Sequence, residues 1–134
     1  MVPARGRIGH KGPMKPSYRI AIVDDDDGVR QSLSSLVRSL GHEARTYASA
    51  AAFLADEGDA PDCLLTDMQM PQMSGDQLQA ELLARGCAFP MIFMTAFPTD
   101  ALRARVMERG GRAFLVKPVD GEAMLRCVEE AITS

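Results

Sequence analysis

Tryptophan is absent, aromatic residues make up only 5% of the chain, and three cysteines are its whole thiol content. Those cysteines, Cys63, Cys87 and Cys127, are odd in number, widely spaced and form no Cys-x-x-Cys pair. The pattern argues against a disulfide framework or a thiolate zinc site and fits buried, reduced thiols in a cytoplasmic protein. No apolar run approaches the ~20 residues that a membrane-spanning helix needs, and no secretory signal opens the chain. A surplus of positive charge is missing too, since the formal net charge is −3. Residues 1–17 carry Arg5, Arg7, Lys11 and Lys15 and no acid, so subtracting those four charges leaves about −7 on the remainder. Such a balance argues against direct binding of nucleic acid, which needs a basic surface.

A length of 134 residues suits one domain with a proper core. Residues 1–17, rich in Gly and Pro, read as a disordered basic leader or tag, with Met14 a candidate natural start, and residues 18–134 as the domain. Within it, apolar strand-like runs alternate with helical periodicity. Tyr18 to Val23 reads as a buried strand, and Val29, Leu33, Leu36, Val37 and Leu40 recur at helical spacing behind it. Asp26 or Asp27 is suited to cap that helix and Gly41 to end it. Strands follow at Glu43 to Tyr47, Cys63 to Thr66, Pro90 to Met94 and Ala113 to Val116. The intervening helices start at Ser49, after the loop from Asp67 to Gly75, at about Pro98, and after Lys117-Pro118. Leu78, Leu82 and Leu83 are expected on one apolar side of the third helix, and the last helix contains Met124, Val128 and Ile132. Five strands alternating with five helices predict an α/β fold, a parallel sheet with helices on both faces.

In such a sheet, ligands collect beyond the C-terminal ends of the strands. Four strand ends here deliver Asp24 and Asp25, Asp67, Thr95 and Lys117 to one rim. Each has a bland reading alone: acids complementing a helix dipole, a trivial threonine, a solvated lysine. Their joint placement is what points to chemistry. Clustered carboxylates repel one another and are relieved by a cation, and magnesium suits oxygen ligands combined with phosphate. Phosphoryl transfer onto a carboxylate would use every member, with lysine and metal offsetting charge and an aspartate attacking. Asp67 stands alone on its strand end and is the better nucleophile candidate. Met68, Met70 and Met73 read as packing for the loop that follows.

Ile22-Val23-Asp24-Asp25, the run from Thr66-Asp67 through Met70-Pro71 to Met73-Ser74-Gly75, Thr95-Ala96 and Lys117-Pro118 resemble, in order and spacing, the motifs of the receiver domain of two-component response regulators. The resemblance covers about residues 18–132 and looks most like the subgroup that carries LuxR-type helix-turn-helix output domains. It implies a flavodoxin-like (CheY-like) fold with strand order 2-1-3-4-5. It further implies Asp67 as phosphoacceptor and Mg2+ (or Mn2+) held by Asp25 directly, Asp24 through water, Asp67 and the backbone carbonyl of Gln69, whose side chain would stay free. Thr95 would hydrogen-bond the phosphoryl group, Lys117 would pair with it across a cis Lys117-Pro118 bond, and Thr95 with Phe114 would form the switch. A sensor histidine kinase is the implied partner, with no turnover of an external substrate, and the mixed charges on the face of helix 4, strand 5 and helix 5 predict a phosphorylation-dependent homodimer through it.

Four features depart from the family pattern. Phe114 lacks a tyrosine hydroxyl, Gly111 replaces the usual alanine and is expected to loosen the end of helix 4, and Phe97 is expected to shield an acyl phosphate from water. Asp26 and Asp27 extend the acid run and are expected to serve helix 1 rather than a metal. Two other readings compete. Asp25-Asp26-Asp27-Gly28-Val29 resembles the start of a haloacid-dehalogenase-type phosphatase, with Asp25 as nucleophile and Asp27 as acid/base, but leaves Asp67 and its loop unexplained. A receiver-like interaction module that is never phosphorylated is the other.

Overall fold

The expected alternation is realised in full in the structure, a computed structural model that describes residues 17–133. The expected leader falls almost wholly outside the described residues. The elements are β1 (Arg19–Val23), α1 (Asp27–Ser39), β2 (Glu43–Tyr47), α2 (Ala50–Ala55), β3 (Cys63–Asp67), α3 (Gly75–Ala84), β4 (Met91–Thr95), α4 (Asp100–Glu108), β5 (Ala113–Val116) and α5 (Gly121–Thr133). Every strand pairing is parallel, and the order is β2-β1-β3-β4-β5. The step from β1 to β3 on one side and β2 on the other is the reversal that leaves a crevice at the strand ends.

Every residue of β3 and β4 is buried. This explains why those runs are continuously apolar instead of alternating: both faces of a central parallel strand are covered. Successive side chains still point to opposite faces. Ala21, Val23, Leu64 and Phe93 pack with Phe53, Leu78, Leu82 and Val106 from α2, α3 and α4. Ile20, Ile22, Leu65, Ile92 and Met94 pack with Leu33, Val37, Met124 and Val128 from α1 and α5. The helices begin where polar side chains accept otherwise orphaned amides: Asp26 from Val29, Ser49 from Ala52, Ser74 from Gln77 and Thr99 from Leu102.

Several expectations need correction. Helix α4 starts at Asp100 rather than Pro98, because the Thr99 hydroxyl supplies the cap. Leu83 is 49% exposed instead of joining the core. It lies about 100° further round the helix than Leu82, past the edge of the buried arc. Gln79 takes the inner position, donating from Nε2 to the Val106 carbonyl at 2.9 Å. Gly111 packs closely at the end of α4. A Cβ there would sit 2.8 Å from Val106 O and 3.0 Å from Phe93 Cε2, and its N–H donates to Val106 O, so the glycine permits close approach of helix end and strand. Met68 and Met70 are buried in the core, as packing residues should be, with Met73 lying against it.

Candidate functional site

The rim at the C-terminal edge of the sheet is built by strands that end in polar residues. Asp24 directly follows β1 and is fully buried, a position open to a carboxylate only if its oxygens are partnered. They are. Its Oδ1 accepts the Asp26 N–H at 2.9 Å, and its Oδ2 accepts from Lys117 Nζ at 2.8 Å. Asp67 is the last residue of β3, 4% exposed, with Oδ1 3.3 Å from the same ammonium. Asp25 is exposed beside them. Asp24, Asp25 and Asp67 each offer a carboxylate oxygen, all within 4.8 Å of one another. An all-oxygen donor set of this size suits a hard divalent cation such as magnesium better than a soft metal.

The electrostatics follow from that crowding. Burial and then the neighbouring charge of Asp24 push the Asp67 carboxyl above its ordinary range, against the opposing pull of Lys117. Burial alone would lower Lys117. The hydrogen bond to Asp24 and the charges of Asp24 and Asp67 outweigh it, so the ammonium is held more firmly charged than usual. Lysine therefore acts as the internal counter-ion of two buried carboxylates. Lys117 reaches them from the end of β5, where its N–H donates to Thr95 O at 2.8 Å and the Lys117-Pro118 peptide is cis, as expected.

Of the two extra acids, Asp26 caps α1 and Asp27 pairs with Arg30. Arg30 also donates from Nη1 to the Asp24 carbonyl at 2.6 Å, clamping the backbone that aims the buried acid. Sequence reading missed Arg30; its one signal is the i,i+3 spacing from Asp27. Asp27, taken up in a surface ion pair, is poorly placed for the acid/base role that a dehalogenase-type reading gives it.

The loop after β3 folds back on the strand it leaves. Gly75 N–H donates to Met68 O at 2.9 Å, and a Cβ on Gly75 would lie 2.5 Å from the Asp67 carbonyl. That contact is the physical reason for glycine at the end of Met73-Ser74-Gly75. Gly75→Ala should therefore move the backbone that carries Asp67 and cost about 1–3 kcal/mol in urea unfolding, the range of an overpacked core site. An unchanged midpoint would mean that the loop relaxes freely.

Thr95, the last residue of β4, is fully buried. Its hydroxyl donates to Gln69 Oε1 at 2.6 Å and accepts the Phe97 N–H at 2.9 Å. The Gln69 side chain, expected to be free, is thus tied to Thr95. Phe97 is 71% exposed, so most of its surface faces solvent in the unphosphorylated chain. Phe114 lies apart from the acid cluster, half-buried in β5 against the α3–α4 side of the core, with the Arg103 guanidinium 6.0 Å from its ring centre. Among the described residues no helix is long and apolar enough to cross a membrane.

Comparison with known proteins agrees with this geometry. Residues 20–129 match the response regulator receiver domain family. The chain is 36% identical over 128 residues to the response regulator protein TmoT of Ectopseudomonas mendocina, covering 95% of this chain and 58% of that protein. It is 40% identical over 121 residues to the transcriptional regulatory protein FixJ of Azorhizobium caulinodans, covering 89% and 57%. The chain thus spans a little over half the length of both relatives. Among solved structures, FixJ-N superposes with a TM-score of 0.80 at 31% identity, covering 89% of this chain and 96% of that one. The response regulator StyR gives 0.79 at 36% identity, covering 87% and 60%. A parallel sheet in 2-1-3-4-5 order, carboxylates at its reversal point and this match over most of the sequence place the chain in the receiver-domain family of two-component response regulators.

Proposed function

We propose that the chain takes a phosphoryl group from a sensor histidine kinase onto Asp67 and passes the change to a protein-interaction face. The observation that carries this reading is Asp67 itself, nearly buried at a strand end, 3.3 Å from a lysine and within cation-sharing distance of two further acids. Asp24 is the weaker nucleophile, because both of its oxygens already accept hydrogen bonds. In the transfer, an Asp67 oxygen forms a bond to phosphorus while the P–N bond of the donor phosphohistidine breaks, its electron pair leaving on the imidazole nitrogen. Asp24, Asp25, Asp67 and the backbone carbonyl of Gln69 would hold Mg2+ or Mn2+, which when bound supplies charge neutralisation for the transferring group. Lys117 would turn from the two carboxylates toward a phosphoryl oxygen, and Thr95 would donate to another. The chain acts on itself, gaining the group and losing it to water, rather than turning over an external substrate. Intact mass after incubation with acetyl phosphate and magnesium tests the proposal: one added phosphoryl group is expected, and no gain would contradict it.

Magnesium at a hundredfold excess over its dissociation constant should stabilise the chain by about 2.7 kcal/mol. Asp25→Ala should abolish that response while changing metal-free stability little, since Asp25 is exposed. A variant whose melting temperature still climbs with magnesium would remove Asp25 from the ligand set.

For output, the face formed by α4, β5 and α5 carries exposed Asp100, Arg103, Glu108, Arg109, Arg112, Glu122 and Glu130. On the same face Arg105 pairs with Asp76 at 2.9 Å and Glu129 with His42 at 3.0 Å. Mixed charges can pair across a two-fold axis. Phosphorylation would draw Thr95 inward, let Phe114 move and promote a homodimer by selecting a minor active-like population. Thr95→Ala should then accept phosphate but dimerise poorly. Sedimentation of the beryllofluoride-activated chain checks this, and a wild type that stays monomeric would point to a different partner for the face. The FixJ relative is named a transcriptional regulatory protein, which supports a place in phosphorylation-controlled transcription through a LuxR-type output domain; we propose a cytoplasmic location, and the net negative charge of the sequence argues against nucleic-acid contact by these residues.

A further inference from the structure

Thr95 has one hydroxyl proton, and in the unphosphorylated chain that proton is already in use. The side chain is fully buried, so water cannot take the proton. Its acceptor is Gln69 Oε1 at 2.6 Å, while a lone pair of the same oxygen accepts the Phe97 amide at 2.9 Å. The orientation of the carboxamide follows from this count. With Nε2 turned toward Thr95 there would be two donors on the hydroxyl and no acceptor for its proton, the arrangement that buried polar groups avoid. Thr95 therefore cannot donate to a phosphoryl oxygen on Asp67 without first releasing Gln69. One side chain comes from the loop after β3 and the other from the end of β4, 26 residues apart in sequence, so the contact is tertiary and not a consequence of local geometry. Gln69 is itself exposed, and nothing else in the hydrogen bonding of the described residues anchors its carboxamide.

We propose that the Gln69 carboxamide is a latch that competes with the phosphoryl group for the Thr95 hydroxyl and so sets how strongly the chain favours its inactive arrangement. The proposal rests on Asp67 as the phosphoacceptor, and it assigns Gln69 a positioning role through its side chain, separate from the metal-ligand role of its backbone carbonyl. Linkage fixes the consequence: whatever stabilises the inactive arrangement weakens a ligand that needs the other one by the same factor. Losing one neutral hydrogen bond should be worth about fivefold in affinity for a phosphoryl mimic.

Gln69→Met keeps the length and the backbone carbonyl but removes the acceptor. Beryllofluoride affinity, measured at fixed saturating magnesium, should tighten about fivefold in this variant. In the variant free of metal and beryllofluoride, the Phe97 amide and Phe114 ring NMR signals should shift toward their positions in the activated wild type. A double-mutant cycle isolates the route: in a Thr95→Ala background the same Gln69 substitution should change the affinity negligibly. Equal affinities for wild type and Gln69→Met, or an equal gain with and without Thr95, would overturn the latch alone. A wild type that binds no beryllofluoride at all would overturn the reading of Asp67, and the latch with it.

Discussion

Lys117→Met is expected to lower the stability of the metal-free chain by about 3 kcal/mol, a drop of roughly 10 °C in melting temperature for a domain of this size. The lysine is the counter-ion of Asp24 at 2.8 Å and of Asp67 at 3.3 Å. Methionine preserves most of the apolar stem and removes only the charge, leaving buried carboxylates that face one another. The low end of the usual range applies because the Lys117 side chain is 19% exposed and partly solvated. Two further readouts identify charge as the cause. A carboxyl whose pKa is raised by folding binds its proton more tightly in the native state, so the variant should regain stability as pH falls from neutral toward the carboxylate range. Magnesium should restore it as well, by replacing the lost positive charge. A variant melting as the wild type does would contradict the counter-ion role, and a loss untouched by magnesium or acid would trace to packing of the stem.

Asp67→Asn should abolish phosphorylation by acetyl phosphate altogether while leaving the fold intact. The amide nearly matches the carboxylate in shape, but it is a poor nucleophile. Burial and the Asp24 charge already disfavour the ionised form of Asp67. Removing the charge should therefore raise metal-free stability rather than lower it, and should weaken magnesium binding. Opposite signs for activity and stability are the mark of a functional site held at a cost to folding. A variant that loses phosphorylation and stability together would instead indicate a structural role.

How much of this was legible beforehand depended on periodicity. Apolar runs bounded by acids or turn residues announced the five strands. Because parallel strands all end at one edge, the residues after those runs, Asp24, Asp25, Asp67, Thr95 and Lys117, were bound to share a rim. The sheet needed only that rule, whereas the strand order came from the family resemblance. What escaped were contacts between side chains with no shared period. Nothing in the sequence ties Gln69 to Thr95, since one lies in the loop after β3 and the other at the end of β4. Arg30, which no periodicity singles out, grips the Asp24 carbonyl. Gln79 was passed over because a polar residue on an apolar face usually points out; here the Val106 carbonyl gives its amide a partner inside. Leu83 failed in the opposite direction, a leucine lying just beyond the buried arc of its helix.

The central claim is that the acyl phosphate forms on Asp67, and borohydride trapping tests it most directly. Wild-type chain incubated with acetyl phosphate and magnesium is reduced so that a phosphorylated aspartate becomes homoserine, and its peptides are then sequenced by mass spectrometry. The account predicts homoserine at position 67 and nowhere else. Homoserine at position 25 would support a dehalogenase-type nucleophile instead, and the absence of any conversion would leave a receiver fold that does not carry phosphate.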